Sequence, residues 1–196
     1  MHPIDQIMER ASERLLAMDY LECERLCSQA LAQARAAGDF ERYARILLPL
    51  QEARRQRRQI AVDAGVAVLG EPRLEPAQVL DRHDRGCLLL LCPPYLPQDE
   101  AAVRELARQR RKMVEILALD AAGLRQCFEQ QMEREGDAAV AAVPRGLPPE
   151  QQVDALAAVL ERVGDHEIAH QRLAAAARMA GKSAGRAPCG QGTGPA

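Results

Sequence analysis

The stretch Val153–Met179, VDALAAVLERVGDHEIAHQRLAAAARM, predicts two helices joined at Gly164-Asp165. On both sides of this junction, apolar or small residues recur three or four positions apart, which is the spacing of one helix face. They are Val153, Leu156, Ala157 and Leu160 on the first helix, and Ala169, Leu173 and Ala176 on the second. Pro149 precedes them at a first-turn position, where a missing N–H is tolerated. The stretch therefore predicts a helical hairpin.

A weaker copy of this hairpin lies near the other end of the chain, between Ile7 and Ala34. The matching residues are Ile7 and Ala11 on its first helix, Asp19-Tyr20 at the turn, and Cys23, Cys27, Ala30 and Leu31 on its second helix. Both copies resemble units of the tetratricopeptide repeat (TPR), which are helical hairpins of about 34 residues. Arg14 stands where the repeat has a large apolar residue, and the Trp and Pro of the repeat are absent from both copies. The resemblance implies a groove between helices that binds a partner.

Further signals extend the helical region near the start of the chain. Asp19 and Asp39 are predicted to cap the second and third helices, because a carboxylate accepts hydrogen bonds from the free N–H groups of a first turn. Gly38 is predicted to end the second helix. Helical spacing then continues from Phe40 to Leu50, and Pro49 inside that pattern predicts a kink or a break.

The middle of the chain has a different sequence pattern, with short apolar runs bounded by Gly or Pro. Such runs are typical of buried strands. The predicted strands are Val66–Leu69, Cys87–Leu91 and Val114–Leu119, with a further one at Ala139–Val143. Helical patterns at Gln98–Lys112 and Leu124–Glu135 alternate with these runs. The order strand, helix, strand predicts parallel crossovers.

These patterns predict a mixed, predominantly α fold class. Residues 1–64 are predicted to be helical and TPR-like, and residues 65–145 to form a small α/β segment with a short parallel sheet. Residues 146–180 form the second TPR-like hairpin. Residues 181–196 are rich in Gly, Ala, Pro and Ser, and we predict a disordered tail there because this segment has little to bury.

Composition narrows the class of protein further. The chain has 196 residues and a net charge of −2, so no overall field draws it to nucleic acid or to a membrane. Its start lacks the features of a signal peptide, and its longest apolar run, Cys87–Cys92, is too short to span a bilayer. Six scattered cysteines, none in Cys-x-x-Cys spacing, predict reduced thiols and a cytoplasmic location.

One motif suggests chemistry: His166-Glu167-Ile168-Ala169-His170 has the spacing found in zinc hydrolases. Two histidines one helical turn apart can bind Zn²⁺, and Glu167 can act as general base on a zinc-bound water. No Asp, Glu or His follows His170, and only Cys189, in the predicted tail, remains as a third ligand. Arg172 stands where zinc hydrolases have an apolar residue, and the TPR-like frame already uses part of the motif for packing. We therefore predict two surface histidines in the first turn of a helix, with zinc as the alternative.

Two basic runs offer a second alternative, which is nucleic-acid binding. Arg54–Arg58 and Arg108–Lys112 each carry four cations in five residues, and these could contact phosphates. No aromatic residues are interleaved for base stacking, and acidic residues are as frequent in the chain as basic ones. Solvated helix faces, or helix ends whose dipole favours cations, are therefore the preferred interpretation.

Three other features carry little chemistry. Cys23 and Cys27 lie one turn apart and could bind a metal with His83, but small residues filling a tight helix crossing explain them as well. Gly181–Ser183 resembles the end of a phosphate-binding loop, but Ala176 replaces the required glycine. The loop Cys92–Gln98, which follows a strand, is the better place for a ligand, although it contains two prolines instead of glycines.

The function predicted from these observations is a non-catalytic interaction or scaffold module. It would bind a protein or peptide partner, or a second copy of the chain, in a groove between helices. No catalytic residue, metal ligand or cofactor is favoured. The alternatives are a zinc hydrolase that uses His166, Glu167 and His170, and a nucleic-acid-binding protein that uses the two arginine runs.

Overall fold

The computed structural model describes residues 2–120 and 127–184. Within these ranges the chain forms eight helices and three strands. In chain order they are α1 (Pro3–Leu16), α2 (Tyr20–Ala36), α3 (Phe40–Asp63), β1 (Val66–Leu69), α4 (Pro76–Arg82), β2 (Arg85–Leu91), α5 (Pro97–Gln109), β3 (Met113–Leu119), α6 (Phe128–Ala141), α7 (Pro149–Val163) and α8 (Glu167–Ala184). The predominantly helical class with a short parallel sheet is confirmed. None of these helices combines the length and the hydropathy that a bilayer span requires.

Helices α2 and α3 begin where the sequence predicts. Asp19 Oδ1 accepts a hydrogen bond from the Glu22 backbone N–H at 3.3 Å, and Asp39 Oδ1 accepts one from the Arg42 N–H at 3.0 Å. The break considered at Pro49 does not occur, because α3 continues through this residue to Asp63. Proline removes one N–H from the helix ladder. The apolar residues around it, Ile46, Leu47 and Leu50, are buried and hold the helix together across that position.

The two predicted hairpins share one core, although more than a hundred residues separate them in the chain. Helices α1, α2, α3, α7 and α8 pack together, and we call them the helical body. Many of the residues at their contacts are small and fully buried: Ala11, Cys23, Cys27, Ala30, Ala34, Ala53, Ala169 and Ala177. Small side chains let helix backbones approach closely, which agrees with the packing inferred from the sequence.

The three strands form one parallel sheet in the order β1-β2-β3, which we call the sheet segment together with α4 and α5. Helices α4 and α5 cover one face with Val79, Leu80 and Val103. Helices α3 and α6 cover the other face. The register places Val66 opposite Cys87, and Cys87 opposite Glu115, so these three residues form one row across the sheet. Because α3 packs against the sheet as well as in the helical body, it belongs to both regions of the molecule.

The fourth predicted strand, Ala139–Val143, is wrong, because this segment lies at the end of α6. Its buried residues, with Met132 and Gly136, recur at helical spacing, and a five-residue apolar run cannot reveal that spacing. Residues 121–126, which include the first three residues of the predicted helix Leu124–Glu135, lie outside the described residues. Helix α8 continues to Ala184, which is four residues into the predicted tail, and residues 185–196 also lie outside.

Candidate functional site

His166 is the residue before α8, and only 1% of its surface is exposed. Its Nδ1 accepts a hydrogen bond from the Ala169 backbone N–H at 3.2 Å, so the ring caps the helix. Its Nε2 points at α6 and lies 3.5 Å from both Glu133 Oε1 and Asp137 Oδ1. The prediction of a surface histidine is wrong here. His166 instead joins the start of α8 to α6.

Gly136 makes room for this ring. A Cβ atom at position 136 would lie 2.1 Å from His166 Cδ2 and 2.6 Å from Nε2, which no side chain tolerates. Glycine inside a helix costs about 1 kcal/mol relative to alanine, so its presence in α6 calls for a reason. The reason is the approach of His166. Glu133, Gly136 and Asp137 were not predicted as site residues, and a glycine within a helical pattern was the signal in the sequence that could have pointed to them.

His170 is also buried, with 2% of its surface exposed, so the second surface prediction is wrong as well. Neither ring nitrogen has a hydrogen-bond partner among the described residues. Burial lowers the pKa of His170 to about 3, and the positive charges of Arg54 and Arg55 act in the same direction. The ring is therefore neutral at neutral pH.

The zinc-hydrolase arrangement is not assembled by these residues. Within the described part of the chain, one group of three potential ligands converges to metal-binding distance, and it contains Glu133, Asp137 and His166. His170 does not belong to this group. The carboxylate of Glu167 accepts hydrogen bonds from Gln51 at 2.6 Å and from Arg55 at 3.0 Å. The predicted ligands His166 and His170 and the predicted base Glu167 therefore do not converge on one site.

The hydrogen bond at Nδ1 also argues against a metal on His166. A histidine that binds a metal through one nitrogen normally carries its proton on the other nitrogen and donates it. Here Nδ1 accepts from Ala169 and so does not carry a proton. Nε2 lies 3.5 Å from each of the two carboxylates but forms no hydrogen bond with a described residue.

The first arginine run lies largely inside the protein, so its prediction as a solvated helix face is wrong. Arg54 is 1% exposed and donates to Glu24 at 2.8 Å and to Glu161 at 2.7 Å. Arg57 pairs with Glu115 at 3.1 Å and with Glu24 at 3.5 Å. We call these five residues the arginine network. It joins α2, α3, α7 and β3 by charge pairs.

The network determines the ionisation of Glu24. Burial by itself would raise the pKa of this carboxyl, but Arg57 and Arg54 hold it below its usual value. Glu24 is therefore charged at neutral pH, although it lies inside the protein.

The second run, Arg108–Lys112, begins in the last turn of α5 and extends past its end. Its cations also face acidic groups: Arg108 pairs with Glu161, Arg110 with Asp81, Arg111 with Asp19 and Glu22, and Lys112 with Asp84. Cations that already have acidic partners gain less from phosphates. The support for nucleic-acid binding is correspondingly weaker.

The other sequence candidates lie at packed positions. Cys23 and Cys27 are fully buried, and their thiols form a hydrogen bond with each other that, together with burial, raises the pKa of Cys27. Neither belongs to a converging ligand group within residues 2–120 and 127–184, so His83 does not complete a site. In the loop Cys92–Gln98, Tyr95 is buried and its hydroxyl accepts a hydrogen bond from the Leu74 N–H. Gly181–Ser183 lies within α8.

A groove lies between α3 and α8 of the helical body. Its volume is about 810 Å³, and we call it the α3–α8 groove. Its lining residues are Glu41, Ala44, Arg45, Leu48, Arg178, Gly181 and Lys182. Leu48 is 74% exposed.

Comparison of the chain with models of protein families, with curated proteins and with solved structures finds no match. The likeness to TPR units therefore remains a resemblance of residue patterns. Function has to be inferred from the geometry of this chain.

Proposed function

We propose that this chain is a protein-interaction module whose α3–α8 groove binds an acidic amphipathic helix of a partner protein. The supporting observation is the groove itself: an apolar floor with three unpaired cations at its rim. The floor consists of Ala44, Leu48 and Gly181. Ala44 and Gly181 are small, so a helix could approach the backbone there, and Leu48 could contact its apolar side.

The charges of the groove favour an acidic partner. Arg45, Arg178 and Lys182 are exposed, and none of them forms an ion pair with another described residue. Glu41, which lies on α3 one turn before Arg45, is the acidic residue of the lining. The two arginine runs differ, because their cations are matched by carboxylates of the chain. Rim cations of this kind raise the rate of association and select a partner of opposite charge.

The remaining elements of the proposal follow from the sequence. The interaction is non-catalytic, and the module acts in a reducing cytoplasmic setting, in keeping with the free thiols of Cys23, Cys27, Cys87, Cys92 and Cys127. A second copy of the chain and a basic helix are the competing occupants, and the test below separates them.

The test uses fluorescence anisotropy with a labelled amphipathic peptide that carries Leu on one face and Glu on the other. We expect saturable binding to the full chain that weakens with added salt. The double variant Arg45→Glu, Arg178→Glu should bind at least about tenfold more weakly, because two charge-assisted contacts become repulsions. Arg82→Glu reverses an exposed charge on α4, away from the groove, and should leave binding unchanged.

Several results would overturn the proposal. They are an absence of saturable binding, equal binding of a matched peptide with Lys in place of Glu, and unchanged affinity in the double variant. Dimerisation of the free chain that Leu48→Lys abolishes would assign the groove to a second copy. Stoichiometric zinc that is lost in His166→Ala would favour the hydrolase class, and salt-sensitive retention on heparin would favour nucleic-acid binding.

A further inference from the structure

A second cavity lies where the sheet segment meets the helical body, beside the outer edge of β3. Its volume is about 460 Å³, within the range of small-ligand sites. It is bounded by α5, β3, α6 and α7, and its lining residues are Glu100, Arg104, Leu117, Met132, Glu135, Ala138, Ala139, Ala142, Arg162 and Val163. None of the candidate catalytic or metal-binding residues from the sequence lines it.

One side of the cavity is held rigid by an ion pair on the edge of β3. Glu100 and Arg104 pair at 2.5 Å. Glu100 also accepts from the Ala118 N–H at 3.2 Å, and Arg104 donates to the Ile116 carbonyl at 2.9 Å. These two side chains form hydrogen bonds with backbone groups of β3 that would otherwise have no partner, because β3 is an edge strand. They are neutral as a pair and form a fixed polar border.

The other side presents two opposite charges that are not paired with each other. Glu135 on α6 is half-buried, and its carboxylate accepts one long hydrogen bond, from Gln131 at 3.4 Å. Burial raises its pKa, and Arg162 on α7 acts in the opposite direction across the cavity. Arg162 forms no ion pair with any described residue. A half-buried carboxyl with a shifted pKa in a cavity is a common property of binding sites.

Between these charges lies an apolar wall. Leu117 is 1% exposed, Met132 and Ala139 are each 6% exposed, and Val163 completes the surface. We infer that this cavity binds a small zwitterion with an aliphatic side chain, such as a free α-amino acid of the leucine or methionine type. Arg162 would bind its carboxylate, Glu135 its ammonium group, and the wall of Leu117, Met132 and Ala139 its side chain. This site is separate from the α3–α8 groove.

Isothermal titration of the full chain with L-leucine and with L-methionine tests the inference. We expect saturable binding of at least one of them. Leucinamide, which lacks the carboxylate, and 4-methylpentanoate, which lacks the ammonium group, should each bind about tenfold more weakly or worse, because each loses one charge-assisted contact. Glycine, which lacks the aliphatic group, should also bind more weakly.

Variants locate the site. Glu135→Gln and Arg162→Gln should each weaken binding about tenfold. Glu133→Gln, on the same helix but facing His166, and Arg145→Gln, outside the cavity lining, are matched controls that should bind normally. Circular dichroism and thermal unfolding establish that the variants are folded. The inference is overturned if neither amino acid binds, if glycine binds as well as leucine, or if both cavity variants bind as the parent chain does.

Discussion

The helical body and the sheet segment each have a buried core, but they differ in the side chains at their contacts. In the helical body, alanines and cysteines at the helix crossings let the backbones approach. In the sheet segment, larger residues such as Leu88, Leu90 and Ile116 fill the space between strands and helices. The arginine network differs from both cores, because it is made of charged groups and lies where α3 passes from one region to the other.

The contrast indicates how the regions are held together. Apolar packing is tolerant of small changes in position, whereas buried charges are stable only when their partners are in place. Removing Arg54 leaves the buried carboxylate of Glu24 with Arg57 as its remaining partner, at the longer distance of 3.5 Å. Three predictions test this contrast between apolar regions and a charged junction.

The largest effect is expected from Arg54→Met, which keeps most of the side-chain volume and removes the charge. Glu24 then loses its closest partner, and we expect a loss of about 3–5 kcal/mol in the free energy of unfolding, measured with urea at neutral pH. The control Arg25→Met breaks a more exposed pair with Glu22 and should cost less than about 1 kcal/mol. Equal costs for the two variants would contradict the role given to the junction.

The difference between the unfolding free energies of Arg54→Met and Arg25→Met should also depend on pH. The folded-state pKa of Glu24 is lower than its usual value of 4.5. The stabilisation by its ion pairs is therefore present above that value and is lost as the pH falls through the folded-state pKa. The cost of Arg54→Met should shrink in the same acidic range.

An intermediate effect is expected from Gly136→Ala. In an exposed helix this change would stabilise by about 1 kcal/mol. Here the new Cβ would collide with His166, and we expect a destabilisation of about 1–3 kcal/mol by thermal or urea unfolding. Gly146→Ala is the control, because no atom lies within 4 Å of its Cβ position.

A double variant tests whether the ring of His166 causes this destabilisation. His166→Asn keeps a side chain that can cap α8 but removes the ring. Gly136→Ala should therefore cost less in the His166→Asn background than in the parent chain. An identical cost in both backgrounds would mean that the ring is not the cause.

The smallest effect concerns His170. Its folded-state pKa of about 3 lies below the usual 6.5, so the unfolded chain binds more protons between these values and stability falls as the pH drops below 6.5. His170→Leu should remove up to about 1.4 kcal/mol per pH unit of that slope between pH 6.5 and 5. His83→Ala, which removes a less buried histidine, should not. An unchanged slope in His170→Leu would show that the ring is accessible to protons.

The sequence allowed prediction of the elements whose signals are local. Apolar spacing located most of the helices, although α4 was not predicted, Asp19 and Asp39 located two helix starts, and Gly- or Pro-bounded runs located the three strands. The same local reasoning failed for Ala139–Val143, because five apolar residues fit either a strand or a helix. It also placed His166 and His170 on the surface, since burial depends on which helices cover a residue and not on its neighbours in the chain.

Spacing and residue type thus determined, without any structure, that this chain forms helices around a short parallel sheet, because helical periodicity, helix caps and bounded apolar runs are patterns within short stretches of sequence. Only the tertiary structure decided that the two end hairpins share one core. It also decided that Arg54 meets Glu24 and Glu161, which lie 30 and 107 residues away, and that Gly136 receives the ring of His166. Such contacts depend on the packing of whole helices, and no local pattern encodes which surfaces meet.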